Sequence, residues 1–432
     1  ANRDISVDHV RITVYYTPPI TISGNAYEND GTTDLTACDG STKNIGLYVA
    51  TATPGFYTTT CNASTGAYSF SNIFLAPPTD TMMFLYVDGN SCSVGNSCAT
   101  TALKYAGSGD VTNLFLRRDR LILQNDSAGS ITNTNLDSYD NGNDPDIVYT
   151  VASNNLTTES GVKIIVNSSD SFSPSGKVIT SGHLQLDSGA TATLDTATST
   201  IGGDIIIADG ATLNINAHTE VLGGDITTAG AGLLNYSGAP KVSLYGSGTL
   251  GGGVSALNFY DLVGYNTGVI TLDSTTTIAH NFEAGQKQWN LMTSYEPLTV
   301  GNTLFASSST FSYQGGNATV TPATYYNLDI SPTSGSPTFL LGTTTGQTIR
   351  AQNNFTIGGA GNATIDANTY DPILDIDGGL TIGSGDTFSA SNISAFNLGG
   401  NFTNNGAFTH NNGAITLDTT NTSNITSAGS MS

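Results

Sequence analysis

A glycine-led repeat of 21 residues is the feature that most constrains the fold of this 432-residue chain. In each repeat an apolar residue follows the glycine by two positions, at the start of a short strand-like segment. The three clearest pairs are Gly182 with Leu184, Gly203 with Ile205 and Gly224 with Ile226. A period of this length fits one coil of a β-solenoid, in which each coil buries its apolar edges against the next and glycine permits sharp corners.

Within one coil the side chains alternate between two environments. Over residues 211–216, Leu213 and Ile215 are predicted to point inward while their polar neighbours point outward. The sequence therefore predicts an all-β protein whose larger part, 161–420, is a right-handed-type parallel β-solenoid, or β-helix, of about 21-residue coils. Residues 421–432 are predicted to form a tail.

The repeat is expected to return later in the chain. Two further steps of 21 are predicted, from Phe282 to Thr303 and from Gly378 to Gly399. The register is less regular at 232–300 and at 305–350, which indicates insertions or a kink.

The N-terminal part has a different pattern. Residues 18–116 hold short apolar segments that alternate with turn residues, which is typical of a β-sandwich of about seven strands with an Ig-like or prealbumin-like fold. All four cysteines, Cys38, Cys61, Cys92 and Cys98, lie in this part. An even, clustered set predicts two disulfides, Cys38–Cys61 and Cys92–Cys98, and an oxidising compartment. Zinc is the alternative, but C-x-x-C spacing and a nearby histidine are both missing.

Two stretches resemble known families. Residues 64–73, in which Gly66, Tyr68 and Phe70 precede Ile73, resemble the signature of carboxypeptidase-regulatory-like and collagen-adhesin B-type domains. Residues 397–417 resemble the coils of large bacterial surface proteins and adhesins. The first resemblance implies a stalk or spacer sandwich, and the second implies a secreted surface protein with a solenoid.

Charge excludes some partners. The chain has 12 Lys and Arg against 34 Asp and Glu, so its net charge is −22. Such a chain is expected to bind no nucleic acid and to be repelled by anionic lipid. It contains no run of 18 apolar residues, so we expect no membrane insertion.

Residues 1–17 read as a separate strand in which apolar side chains alternate. The alternating residues are Val10, Ile12, Val14 and Tyr16. Pro18 and Pro19 end it. Three alternatives stay open: the strand pairs within the next domain, it ends a domain upstream, or it is donated to a neighbouring subunit.

The junction at 117–160, predicted to include the solenoid cap, carries the chain's one basic cluster, Arg117, Arg118 and Arg120. We interpret this cluster as an interdomain ion-pair patch, with a polyanion site as the alternative.

An acidic loop follows in the same junction. Its oxygen-bearing side chains are Asp137, Asp140, Asn141, Asn143, Asp144 and Asp146. Carboxylate and amide oxygens around a glycine turn suit calcium, the one cofactor that the sequence suggests. A solvated acidic turn is the alternative, because the spacing departs from the EF-hand and no glutamate closes the loop.

Residues suited to catalysis are sparse. The five histidines are isolated in the sequence. Asp371, Asp375 and Asp377 are predicted to share an outer strand face, where a carboxylate pair can hydrolyse a glycoside. A solvated edge and a cation site are the alternatives. Trp289 is interpreted as a core residue or, alternatively, an exposed sugar contact. We expect no enzyme and no catalytic residue.

Glycosylation is a further prediction for a secreted chain. Candidate acceptors are Asn62, Asn155, Asn167, Asn317 and Asn401. Chance occurrence is the alternative in a chain so rich in Asn, Ser and Thr.

These patterns favour a structural subunit of an extracellular filament or cell-surface layer. It would assemble with itself head to tail through the N-terminal strand and the solenoid ends. An adhesin segment that binds glycans or a host or neighbour-cell surface is the first alternative. A polysaccharide-active β-helix enzyme is the second.

Overall fold

A computed structural model describes residues 19–35, 38, 40, 43–73, 77–89, 98–418 and 422–432. The fold is all-β, with 48% of the residues in strands and 1% in helix, as the sequence predicts. The predicted assembly strand with Val10, Ile12, Val14 and Tyr16 lies outside the described residues, as does Cys92.

Seven strands form the N-terminal unit. They are β1 (Ile20–Tyr27), β2 (Asn44–Val49), β3 (Gly55–Thr59), β4 (Ala67–Ile73), β5 (Met82–Asp88), β6 (Thr100–Lys104) and β7 (Leu116–Arg117). One sheet has the order β4-β1-β7, and the other runs antiparallel in the order β3-β2-β5-β6. Tyr68 and Phe70 are buried on one face of β4, as predicted, and contribute to a core shared by the two sheets.

The position of strand β5 between two hydrophobic cores explains why its sequence is apolar at nearly every position. Leu85 and Val87 point into the core between the two N-terminal sheets. Phe84 and Tyr86 point the other way, into the core of the solenoid. A strand buried on both faces has no polar side to show, so alternation is lost.

Strand β8 (Arg120–Asn125) joins the two parts of the molecule into one sheet. It pairs in parallel with β6, with Thr101 opposite Ile122, and in parallel with β11 (Lys163–Val166), with Leu121 opposite Ile164. The first rung of the solenoid thus lies inside the predicted junction.

The segment between β8 and β11 closes the N-terminal end of the solenoid core. It contains α1 (Asn133–Leu136), β9 (Tyr149–Ala152) and β10 (Asn155–Thr158). Thr132 is the N-cap of α1 and forms a capping box with Asn135. Buried Leu136 and Tyr139 lie in the same core as Phe84, and the Tyr139 ring stacks on Tyr48 at 3.9 Å.

Strands β11 to β46 form twelve coils of three strands, and the first, second and third strands of successive coils build faces A, B and C. The first four coils are β11 (Lys163–Val166), β12 (Ser171–Phe172), β13 (Lys177–Thr180); β14 (Leu184–Leu186), β15 (Thr191–Leu194), β16 (Ser199–Ile201); β17 (Ile205–Ile207), β18 (Thr212–Ile215), β19 (Thr219–Val221); β20 (Ile226–Thr228), β21 (Leu233–Tyr236), β22 (Lys241–Leu244). The next four are β23 (Gly248–Gly251), β24 (Leu257–Phe259), β25 (Asp261–Gly264); β26 (Thr267–Leu272), β27 (Thr276–Ile278), β28 (Asn281–Glu283); β29 (Gln286–Leu291), β30 (Leu298–Val300), β31 (Thr303–Phe305); β32 (Thr310–Tyr313), β33 (Ala318–Val320), β34 (Thr324–Tyr325).

The last four coils are β35 (Asn327–Ile330), β36 (Thr338–Leu341), β37 (Thr348–Ala351); β38 (Phe355–Ile357), β39 (Thr364–Asp366), β40 (Ile373–Ile376); β41 (Leu380–Ile382), β42 (Thr387–Ser389), β43 (Phe396–Leu398); β44 (Phe402–Asn404), β45 (Ala407–Thr409), β46 (Ile415–Leu417). Strands β47 (Ile425–Ser427) and β48 (Ser430–Met431) continue faces A and B. All pairing between coils is parallel, and the inward residues alternate with outward ones as predicted.

The repeat length is regular only at the start of the solenoid. The predicted step of 21 is confirmed from Leu184 to Ile205 and from Ile205 to Ile226. Elsewhere on face A the step ranges from 17, between Thr310 and Asn327, to 27, between Leu328 and Phe355. These changes account for the irregular register noted in the sequence.

Two predicted steps of 21 are wrong by one residue. Phe282 pairs with Leu304 rather than stacking below Thr303. Likewise, Ile376 pairs with Leu398, a step of 22, so Gly400 rather than Gly399 packs over Gly378. Two neighbouring glycines stand at each end of this second step, so the sequence fits a step of 21 and a step of 22 equally well. Only the strand pairing shows that the step is 22.

Candidate functional site

The disulfide lies in the N-terminal unit. Cys38 and Cys61 are bonded and buried, as predicted. Cys98 is also disulfide-bonded, and its predicted partner Cys92 lies outside the described residues. A disulfide indicates an oxidising compartment. Within the described residues, no helix has the length and apolar character needed to cross a membrane.

The carboxylates of the acidic loop accept hydrogen bonds mainly from nearby backbone N–H groups. The Asp140 carboxylate accepts hydrogen bonds from the N–H groups of Gly142 and Val151, at 2.9 and 2.8 Å. Asp144 accepts from the Tyr139 hydroxyl and the Asp146 N–H.

The rest of the loop is engaged in the same way. Asp146 accepts from the Gly89 N–H, Asn143 from the Asp140 N–H, and Asn141 donates to the Ile147 carbonyl, while Asp137 is exposed at the end of α1. In the part of the chain that the structure describes, no three His, Cys, Asp or Glu side chains are grouped so that they could hold a metal ion.

The basic cluster forms ion pairs and hydrogen bonds with a neighbouring turn. Arg118 pairs with Glu28 at 3.1 Å. Buried Arg120 donates to the side-chain and backbone oxygens of Asn29. These contacts agree with the ion-pair interpretation and leave both guanidinium groups engaged.

Two of the three predicted carboxylates, Asp375 and Asp377, form ion pairs with one arginine. Arg350 lies opposite Asp375 on the neighbouring strand and contacts both Asp375, at 3.4 Å, and Asp377, at 2.7 Å. The hydrogen bond and charge of Asp377 raise the pKa of Arg350 above its ordinary value. Asp371 instead accepts hydrogen bonds from Ser391 and the Asn392 N–H.

Two histidines lie on the coil surface, and the tryptophan lies in the core. His183 and His280 contact Asp204 and Asp261 on adjacent coils. Trp289 is fully buried and its indole donates to the Ala284 carbonyl at 3.0 Å. The core interpretation of Trp289 is confirmed, and the exposed sugar contact is wrong.

The predicted glycosylation sites differ in exposure. Asn62, Asn317 and Asn401 are exposed, whereas Asn155 and Asn167 are half-buried. Modification at these positions stays a prediction.

Face C carries a feature that the sequence did not reveal. Its corners toward face A bear Tyr245 after β22 and Tyr265 after β25, and these rings stack at 4.8 Å with an angle of 13° between their planes. Two coils beyond Tyr265, Phe305 points outward with 49% of its surface exposed.

A cleft of about 550 Å3, here called the side cleft, lies between Tyr265 and Phe305. Its floor is formed by Gly264 and Gly285. Around the floor lie the side chains of Tyr265, Asn266, Glu283, Gln286, Phe305 and Ser307.

The side cleft exists because the corner of the middle coil has no large side chain. That corner is Ala284 and Gly285, and Ala284 is buried. A Cβ on Gly285 would lie 2.1 Å from the Gly264 carbonyl oxygen, and the φ of Gly285 is +66°, so only glycine fits.

Lys287 supports the corner that carries Tyr245 from inside. Its side chain is 1% exposed, and its ammonium donates to the carbonyls of Tyr245 and Gly246 at 3.2 and 2.7 Å. Lys287 forms no ion pair with any described residue. Burial lowers the pKa of this ammonium.

A second cavity, here called the edge groove, opens at the N-terminal unit beside edge strand β3. It has a volume of about 630 Å3. Most of its lining is apolar and includes Val49, Ala50, Tyr57, Ile73, Pro77 and Pro78.

No protein-family model, no curated protein and no solved structure matches this chain. The resemblances to B-type domains and to adhesin coils therefore rest on the residues quoted above. The solenoid itself is a finding of the structure.

Proposed function

We propose that this chain is a structural subunit that assembles head to tail into an extracellular fibre or a cell-surface layer. The observation that carries the proposal is one hydrophobic core that runs from Tyr48 in the N-terminal unit to Phe408 near the last coil. On face A every described coil strand pairs with the strands before and after it, so the free edges of this face lie at the ends of the rod; faces B and C are interrupted at β21/β24, β30/β33 and β31/β34. The buried disulfide supports a place outside the cell.

The edge groove supports a site for the incoming end. Strand β3 pairs with β2 on one side and with no described strand on the other. Phe56 on β3 is 64% exposed. An edge strand beside an apolar groove is suited to β-strand addition, in which the main chain provides hydrogen bonds and alternate side chains fill pockets.

The occupant we propose is residues 10–16 of a second copy. Val10, Ile12, Val14 and Tyr16 present an apolar side every second residue, as a donated strand requires. Thr17 and Pro18 both precede a proline, which favours extended backbone and opposes a tight return to the chain's own groove.

The far end of the rod also offers apolar surface. Leu417, Ile425 and Met431 are each about half exposed on the last coils. Whatever chain continues this stack must present a complementary strand edge there. Contacts between unlike ends give a filament when the rotation between copies does not close a ring, and the proposed assembly is of this open kind.

A structural role also agrees with the side-chain chemistry. Arg350 engages Asp375 and Asp377, and the acidic loop's Asp140 is used by backbone N–H groups. The proposal therefore assigns these groups to holding the coils and the solenoid's N-terminal end together.

Cysteine cross-linking between single variants tests the assembly. One sample of the full chain carries Val14→Cys, another carries Thr53→Cys in the edge groove, and the two are mixed and mildly oxidised. We expect a cross-linked dimer on a non-reducing gel and fibres in electron micrographs of the unmodified chain. The matched control pairs Val14→Cys with Ser308→Cys, an exposed residue on the solenoid, and should give no dimer.

A double variant with both cysteines in one chain distinguishes two possible occupants of the groove: the N-terminal strand of the same chain and that of a second copy. A cross-link only within that chain, with none between mixed single variants, would show that the strand folds back on its own subunit. That result, or isolated rods at high protein concentration, would overturn the proposed assembly.

A further inference from the structure

We propose that the side cleft binds a neutral carbohydrate, with one sugar ring held between Tyr265 and Phe305. This site lies on the flank of the solenoid and does not depend on the assembly proposed above. Its position leaves it accessible both in a single rod and in a fibre joined through the ends.

The spacing of the two aromatic side chains suits a single ring. Tyr265 belongs to coil five and Phe305 to coil seven, and strands in a sheet are about 4.8 Å apart, so the two rungs are separated by about 10 Å. Phe305 is in register with Val263, two residues before Tyr265, so the two rings border the cleft from positions offset along the strand. Flat apolar surfaces pack at about 3.5–4.0 Å between carbon atoms, which leaves room for one ring with a contact on each side.

The orientation of Tyr265 adds to this fit. Tyr245, from coil four, covers one face of the Tyr265 ring. The other face is therefore on the side of coil six, where Ala284 and Gly285 leave the corner empty. Lys287 holds the carbonyls of the corner that carries Tyr245. The aromatic platform is thus supported on the side of Tyr245 before a ligand arrives, which reduces the ordering entropy of binding.

The polar groups around the cleft match sugar hydroxyls. Glu283 provides a carboxylate acceptor, Asn266 and Gln286 provide amide donors and acceptors, and Ser307 provides a hydroxyl. No cationic side chain lines the cleft, and the net charge of the chain is −22, so an anionic ligand is disfavoured. The volume of about 550 Å3 lies within the range of small-molecule sites.

Strand pairing disfavours an extended peptide as the ligand. Strands β25, β28 and β31, which run beneath the cleft, pair with one another in register. Between these three strands the backbone N–H and C=O groups are already used, so a peptide cannot insert there; β31 is the last strand of its sheet, and its free edge is on the side away from β28. A ligand there must bind through rings and hydroxyls.

Titration calorimetry with defined hexasaccharides tests the proposal on the full chain. The neutral probes are cellohexaose, N-acetylchitohexaose and mannohexaose, and the anionic probe is a hexamer of galacturonic acid. We expect at least one neutral probe to bind and the anionic probe to bind more weakly or not at all. Tyr265→Ala and Phe305→Ala should each weaken the neutral probe by about five- to tenfold, because each removes one stacking surface.

The matched control is Tyr295→Ala, which removes an aromatic ring that is 81% exposed at a different corner of the solenoid. Its affinity should equal that of the wild type, and far-UV circular dichroism should show that all three variants keep the rod. Failure of every neutral probe to bind, or equal weakening by Tyr295→Ala, would overturn the assignment. Tighter binding of the galacturonate hexamer would also overturn it.

Discussion

The N-terminal unit and the solenoid share one sheet but achieve stability in different ways. In the N-terminal unit each strand pair is unique, two separate cores lie on the two faces of β5, and a disulfide joins residues 23 positions apart. In the solenoid each coil contacts mainly the coils above and below it, and the same parallel pairing recurs along face A from β11 to β47 and in shorter runs along faces B and C. Repeat architectures of this kind have stabilities that are nearly sums of coil and interface contributions.

The two regions should therefore differ in how far the loss of one contact destabilises the surrounding structure. A lost contact in the N-terminal unit has no equivalent elsewhere, so the whole unit should respond. A lost contact in a coil should weaken that coil and its neighbours while distant coils persist. Four changes break or sharpen this contrast.

The largest effect is expected from Trp289→Ala. The indole is fully buried, packs against Phe282 with ring centroids 4.7 Å apart and stacks over Phe311. Its loss should reduce the free energy of unfolding by about 3–5 kcal/mol, because a large cavity forms in the core. Urea unfolding measures the loss, and hydrogen exchange locates it.

Exchange should increase in coils six to eight and remain unchanged in β2 and β5. Val254→Ala, at a position that is 87% exposed, is the control and should change stability by less than about 0.5 kcal/mol. A uniform loss of protection along the chain would contradict the additive description of the solenoid.

Removal of the disulfide should act on the other region. Replacing Cys38 and Cys61 together with serine should destabilise the N-terminal unit by about 3 kcal/mol, because a closed loop of this length restricts the unfolded chain. Hydrogen exchange should rise in β1, β2 and β4. Equal acceleration in the late coils β38 to β46 would show that the two regions unfold as one.

Asp170 gives the solenoid a distinct pH dependence. Burial raises the pKa of this carboxyl to about 6, and Asn167 partly offsets the shift by donating a hydrogen bond. The native state therefore binds the proton more tightly than the unfolded state, and stability should fall as pH rises from about 4 to 6. Asp170→Asn should remove that slope and, after allowance for solvent screening, stabilise the chain at pH 7 by on the order of 1 kcal/mol. Unfolding curves at several pH values check this, and an unchanged slope would contradict it.

Asp30, in the N-terminal unit, should show the opposite sign. Hydrogen bonds from Thr33, followed by that from the Thr32 N–H, lower the pKa of its carboxyl to about 2. The folded state then favours the ionised form, so the contribution is present above pH 4 and is lost as pH falls toward 2. Asp30→Asn should weaken the N-terminal unit slightly at neutral pH and leave the coils unaffected. A variant that matched the wild type at pH 7 but not at pH 2 would refute this assignment.

The sequence was informative where structure is determined locally. The spacing of Leu184, Ile205 and Ile226 predicts the coil, because glycine corners and inward apolar residues repeat within about 21 positions. The junction was not predictable in the same way. The parallel pairing of β8 with both β6 and β11 depends on contacts between segments far apart in the chain.

The side cleft was missed for a related reason. Strand pairing places Phe305 opposite Glu283, and Glu283 opposite Val263, two residues before Tyr265, so the cleft is assembled from neighbouring positions on three coils and appears only after strand pairing is known. Trp289 drew attention as the lone tryptophan, yet it lies beneath the surface.

The variable coil length has a consequence for size. A coil of 17 residues and a coil of 27 residues each add one strand to face A, and neighbouring strands are about 4.8 Å apart whatever the loops between them. The length of the solenoid is therefore set by its number of coils and not by its number of residues. Corners can gain or lose residues, and so acquire new surface chemistry, while the spacing between the two ends stays the same.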